Sequence, residues 1–146
     1  MSRKLLLAAG AVGLMLTAVA PATATAQTAA ATTTTVCGAS GLQAGLSTRV
    51  CADITGDQVE VYGRVSLAGP PSPGSPSPFG QELFTTLTAE APAGTLNRSV
   101  IFNSSIVEVR GISGTVACGS TVKASFAVAS YPWSPRPVSL ETTVPC

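Results

Sequence analysis

Histidine is absent from the 146-residue chain. That removes Ser-His-Asp and Cys-His nucleophilic machinery and the common zinc sites built on imidazole. Neither a G-x-x-x-x-G-K-[ST] nor a G-x-G-x-x-G pattern occurs, so these phosphate-cradling loops are missing too. Charge is scarce, at 10% of residues. Beyond residue 26 the cations are Arg49, Arg64, Arg98, Arg110, Lys123 and Arg136. The anions there are Asp53, Asp57, Glu60, Glu82, Glu90, Glu108 and Glu141, which leaves a net charge of −1. Such a balance offers no electrostatic footprint for nucleic acid and no polybasic patch for anionic membranes. Lys123 is the one lysine in that stretch, and it alternates out of phase with its apolar neighbours. It therefore points to water, where a Ser-Lys dyad has no footing. Helix signals are nearly lacking, Leu is sparse, and there is one Trp.

What is present begins with a secretory signal. Arg3 and Lys4 precede an uncharged apolar run from Leu5 to Ala20, and Pro21 follows. Ala22-Thr-Ala24 and Ala24-Thr-Ala26 both fit small-x-small cleavage, and a cut after Ala26 is favoured. The run is shorter than the roughly 20 residues of a spanning helix, so an uncleaved anchor is the lesser reading. Residues 1–26 are thus expected to be a signal peptide and 27–35 a flexible leader, with no membrane span after cleavage. The remainder, 36–146, suits one small domain.

That domain reads as strands. Val, Thr and Ser are abundant, and Gly and Pro punctuate them. Thr34–Cys37, Thr48–Ile54 and Gln58–Leu67 are the first three expected strands, with 38–45 a loop. Gly56-Asp57 between the second and third fits a two-residue turn with Gly first. The register that follows pairs Ile54 with Val59, Ala52 with Val61 and Val50 with Gly63 on a core face. A slip of one residue would put Ile54 opposite Glu60, which the apolar pattern opposes. Further strands are expected over 82–91, 99–102 and 106–110, with Gly111 and Gly114 marking turns. Two more follow around Val122–Val128 and Val138–Val144, each alternating apolar with polar residues. The Pro/Ser-rich stretch 69–79 favours an extended, polyproline-like loop within the domain. The predicted architecture is all-β: a small immunoglobulin-like antiparallel sandwich.

Four cysteines in an exported domain argue for disulfides. Hairpin midpoints set Cys37 opposite Cys51 and Cys118 near Cys146, and those pairings are expected. A long-range link such as Cys51–Cys118 is the alternative. The first pairing closes a loop of about 15 residues, for which chain entropy gives about 3 kcal/mol.

Several side chains invite chemical readings. The hairpin register sets Asp53 directly against Glu60, with Asp57 in the turn beyond. Opposed strand acids destabilise each other unless something compensates. Asp53, Asp57 and Glu60 are therefore a candidate calcium site or an acid/base pair, against the simpler expectation of a solvated hairpin tip. Arg49 and Arg64 also face each other. Tyr131-Pro-Trp-Ser-Pro-Arg-Pro137 places Tyr131, Trp133 and Arg136 on a stiff hairpin tip, a candidate binding loop for a sugar ring or a protein partner. Large apolar side chains usually find cover, so Trp133 is expected to fold back over the end of the sandwich. Asn97-Arg-Ser99 and Asn103-Ser-Ser105 match the N-glycosylation pattern, incidental in a bacterial host.

Cys37-Gly-Ala-Ser-Gly41, the hairpin from Val50 to Gly63 and the Val144-Pro-Cys146 ending, after a signal closing on Ala-Thr-Ala-Gln, resemble the small exported β proteins of actinomycetes. Gly41-Leu-Gln-Ala-Gly45 followed by Cys51 is similar to a stretch of the enediyne-chromoprotein apoproteins. That second likeness implies an immunoglobulin-like sandwich storing an apolar ligand. The cysteine placement elsewhere and the chain ending depart from that family, and no ligand-contacting residue carries over.

The function these observations support is a secreted, non-catalytic, monomeric binding or extracellular structural module without a cofactor. Its partner would be a protein, a glycan or a small apolar ligand. An apolar-ligand carrier and a carboxylate-dependent glycan-active enzyme are the alternatives. A cavity inside the sandwich favours the carrier, an exposed Trp133 platform the binder, and a cleft holding Asp53 and Glu60 the enzyme.

Overall fold

The computed structural model describes residues 30–146. The signal-peptide reading and residues 27–29 of the expected leader lie outside them. The described residues form nine strands and no helix: β1 Thr33–Cys37, β2 Gly41–Gln43, β3 Leu46–Thr55, β4 Gln58–Ser66, β5 Gln81–Glu90, β6 Ala93–Phe102, β7 Ile106–Thr115, β8 Thr121–Ala129 and β9 Val138–Thr143. One antiparallel sheet runs β1-β3-β4-β7, with β2 also paired to β3; the other runs β6-β5-β8-β9. The two sheets pack together. The apolar halves of the alternating strands meet between them in one cluster that includes Val50, Val61, Leu83, Phe102, Phe126 and Leu140.

The β3–β4 hairpin has the predicted register, with Ile54 opposite Val59, Ala52 opposite Val61 and Val50 opposite Gly63. Gly56 takes φ 62°, as a turn with glycine first requires. Gly63 has a second role: the Phe126 ring fills the space that any side chain there would need. Both predicted disulfides are present, Cys37–Cys51 and Cys118–Cys146.

Four local expectations change. The first strand starts at Thr33, one residue before the expected Thr34, so that Thr33, Thr34 and Thr35 of the expected leader pair with Thr55, Ile54 and Asp53. Part of the expected 38–45 loop is β2, closed onto β3 by Ala44 and Gly45 at φ 53° and 77°. Alanine rarely adopts that conformation, so the turn carries no clear signature. The sixth strand begins at Ala93 rather than Ser99, pairing along all of β5 through a turn at Ala91-Pro92. Finally, Gly111 does not end a strand. It is the extra residue of a β-bulge opposite Val61/Tyr62, at φ 147°. The bulge keeps both Val109 and Ile112 in the core although they are three residues apart. It also sets Arg110 outward, beside Tyr62.

Candidate functional site

The charged face comes from the outward residues of the five-stranded sheet. Register stacks them in rows across the strands. One row is Thr35, Asp53, Glu60 and Ser113, and the next is Cys37, Cys51, Tyr62 and Arg110. A third row sets Arg49 against Arg64, with Glu108 beyond, and a fourth sets Ser47 against Ser66.

Arg110 ties the first two rows together. Its Nη1 donates to Asp53 Oδ2 at 3.1 Å and to Glu60 Oε2 at 2.9 Å, and its Nε donates to Glu108 Oε2 at 2.9 Å. The guanidinium lies 3.7 Å above the centre of the Tyr62 ring, a cation–π contact. Tyr62 is only 4% exposed although it faces outward. Asp53 also accepts hydrogen bonds from Thr35 Oγ1 at 2.6 Å and from the Tyr62 hydroxyl at 3.4 Å. Burial opposes the Arg110 charge, but the hydrogen bonds to Glu108 and Asp53 outweigh it, and its pKa rises above the ordinary value. Burial first, then the Asp53 charge, raises the Tyr62 pKa above that of a free phenol, against the pull of Arg110.

Asp53 and Glu60 do face each other, and the cation they call for is Arg110, 50 residues further along the chain than Glu60. Asp57 stays in the turn, where its Oδ1 accepts a bond from Gln58. Among the described residues no group of three His, Cys, Asp or Glu side chains converges for a metal. A shallow depression of about 280 Å³ adjoins Asp53 and Glu60, edged by Thr33, Thr55 and Ser113. Its carboxylates accept hydrogen bonds from Arg110, Thr35 and Tyr62.

The second region is the end of the sandwich formed by the β2–β3 turn, the start of β5, the β6–β7 link and the β8–β9 loop. Every large apolar side chain exposed among the described residues belongs to this end: Leu42, Phe79, Phe84, Ile101, Ile106, Tyr131 and Trp133. Register brings several of them together. Phe84 pairs with Ala129, two residues before Tyr131, and Glu82 beside it pairs with Ile101. The opposite end holds the Gly56-Asp57 turn and the Cys118–Cys146 bridge and, among the described residues, no large exposed apolar group.

Trp133 does not fold back as expected. It is 62% exposed, and Tyr131 is 96% exposed. With Leu42, Ala44, Ser134 and Arg136, Trp133 lines an open groove of about 400 Å³. The Trp133 backbone N–H closes a tight turn onto the Ser130 carbonyl, and the far side of the loop is anchored by Gln43, a residue that sequence reasoning did not single out. It is 2% exposed, and its Nε2 donates to Thr48 Oγ1 at 2.8 Å and to the Phe126 carbonyl at 3.1 Å. Its Oε1 accepts from the backbone N–H groups of Val128 at 2.9 Å and Arg136 at 3.0 Å. One buried amide thus ties the loop that carries Trp133 to the sheets at Arg136. The only advance signal was a lone Gln among small residues in Gly41-Leu-Gln-Ala-Gly45.

Lys123 is exposed and opposite Glu141, and Asn97 and Asn103 are also exposed. The interior shows no space of the kind a stored ligand needs at Gly63, where the Phe126 ring sits. The arrangement is a disulfide-braced two-sheet β protein with one self-neutralised charged cluster and one uncovered aromatic end. No family model, no curated protein and no solved structure matches the chain.

Proposed function

We propose that the protein is a secreted, non-catalytic binding module of immunoglobulin-like type, and that the aromatic end carries its recognition surface. The supporting observation is the gathering of all seven exposed large apolar side chains at that end. Of these, Leu42 and Trp133 share one groove, and Phe84 and Ile101 lie on the outer face of the four-stranded sheet; apolar groups left exposed together on a monomer mark surfaces that meet something. The loop bearing Trp133 is fixed by Gln43, so little side-chain and loop ordering would be lost on binding. Export is supported by the two disulfides, which persist in oxidising compartments, and by the signal-like start. Among the described residues no helix is long and apolar enough to cross a membrane.

Trp133 is the only tryptophan, so its emission reports on this surface alone. Iodide should quench it strongly in the free protein. Immobilised wild type and Trp133→Ala are then exposed to secreted material and to cell wall from the producing host. Retention by wild type and its loss in Trp133→Ala is the expected result. A protected, blue-shifted emission, or equal retention by the two proteins, would end the proposal.

A further inference from the structure

The Arg49–Arg64 row poses the question that Asp53 and Glu60 pose, with the sign reversed. The two arginines are direct cross-strand partners on the outward face of β3 and β4. Opposed like charges on a sheet destabilise each other unless a counter-charge sits between them. Below them Arg110 supplies it for the acids. Here the available acid is Glu108, in register with Arg64, yet its Oε2 is taken by Arg110 Nε. Every ion pair among the described residues is made by Arg110, and none by Arg49 or Arg64. The next row places two hydroxyls, Ser47 and Ser66, directly opposite each other beside the arginines. Two guanidinium forks and two hydroxyl donors on one rigid strand pair match the donor demand of a tetrahedral oxyanion.

We infer that Arg49, Arg64, Ser47 and Ser66 form a binding site for a phosphate or sulfate group on the outward face of β3 and β4, where Leu42 and Ile106 of the aromatic end flank the two serines. The anion supplies the missing counter-charge and accepts from both arginines. Bidentate guanidinium geometry favours a tetrahedral dianion over a chloride ion. The site lies on an open sheet face rather than in a pocket, so the group is the exposed terminus of a larger molecule or the free ion.

The test uses the exported, oxidised protein at constant ionic strength. Phosphate and sulfate stabilise most proteins by exclusion from the surface, so the reading is the difference between wild type and variants. Replacing chloride by millimolar phosphate should raise the wild-type melting temperature by about 2 °C more than that of Arg49→Gln or Arg64→Gln. In chloride alone, each Gln variant should melt no lower than wild type, because repulsion is relieved. Nuclear magnetic resonance keeps the question answerable without variants: phosphate should shift the Nε signals of Arg49 and Arg64 and leave those of Arg98 and Arg136 in place. Equal thermal responses in all three proteins, or uniform shifts across the arginines, would show general salt effects and overturn the site. Loss of ligand retention in Trp133→Ala leaves this result untouched, so the two readings fail separately.

Discussion

Two rows on the same sheet face, one step of the pleat apart on either side of Cys51 and Tyr62, bring like charges together. Asp53 faces Glu60, and Arg49 faces Arg64. The acid row is closed by a cation from β7 that rests on the Tyr62 ring, and it is capped by hydroxyls from Thr35 and Tyr62. Among the described residues Arg49 and Arg64 make no ion pair. The contrast shows that opposed charges on a strand pair do not reveal their purpose. The third strand, arriving from far along the chain, decides whether the pair is structure or an unmet demand.

The strongest way to break the contrast is to remove the brace between the rows. Cys37→Ser with Cys51→Ser should cost about 3 kcal/mol in denaturant melts, and should free β1 with its Thr35 cap. If stability is unchanged, the edge strand is held by its ladder alone. Next comes Arg110→Ala, which leaves Asp53 and Glu60 facing each other and uncovers Tyr62. Arg110 and Glu60 are partly solvated, so the loss should be about 1–2 kcal/mol, or a melting point lower by about 5 °C. Arg110→Lys should recover part of it, since a point charge cannot fork between two carboxylates. A loss no larger than that of Arg98→Ala would mean the acid row needs no counter-charge.

Tyr62 sharpens the comparison at high pH. Its folded pKa lies above the unfolded value of about 10. The native state therefore holds the proton longer than the unfolded chain. The resulting stability is complete below about pH 10 and is lost as pH climbs through the folded value. Tyr62→Phe should flatten that alkaline decline, and absorbance near 295 nm should show a phenol ionising late in the native protein. The smallest effect is the salt response of the arginine row. Added sodium chloride should narrow the melting difference between wild type and Arg49→Gln, because exposed repulsion is screened within about 8 Å at physiological ionic strength.

Much of the charged face was legible in advance. The alternation around Gly56-Asp57 fixed the β3–β4 register, and with it both opposed pairs. The calcium reading of Asp53, Asp57 and Glu60 asked for a cation, and one is there, though it is a guanidinium. Arg110 was hidden because Gly111 looked like a strand end. A bulge resembles a turn in sequence, since both use glycine to leave the pleat. At the other end, Tyr131, Trp133 and Arg136 were found from composition, but the exposure of Trp133 was missed. The loop that carries it is anchored by Gln43, 93 residues before Arg136, and the two meet only after the sheets pack.

By itself, then, the sequence determined the all-β character, the core faces and the β3–β4 register, and it favoured the two disulfide pairings over a long-range link. Each follows from a local rule: a period of two, a turn that only glycine suits, or two cysteines equidistant from a bend. The tertiary structure alone decided that Arg110 neutralises the acids, that Arg49 and Arg64 make no ion pair among the described residues, and that Trp133 faces solvent. Those outcomes depend on which strands become neighbours, and hydrogen bonds and ion pairs act only over a few ångströms, whatever the separation along the chain.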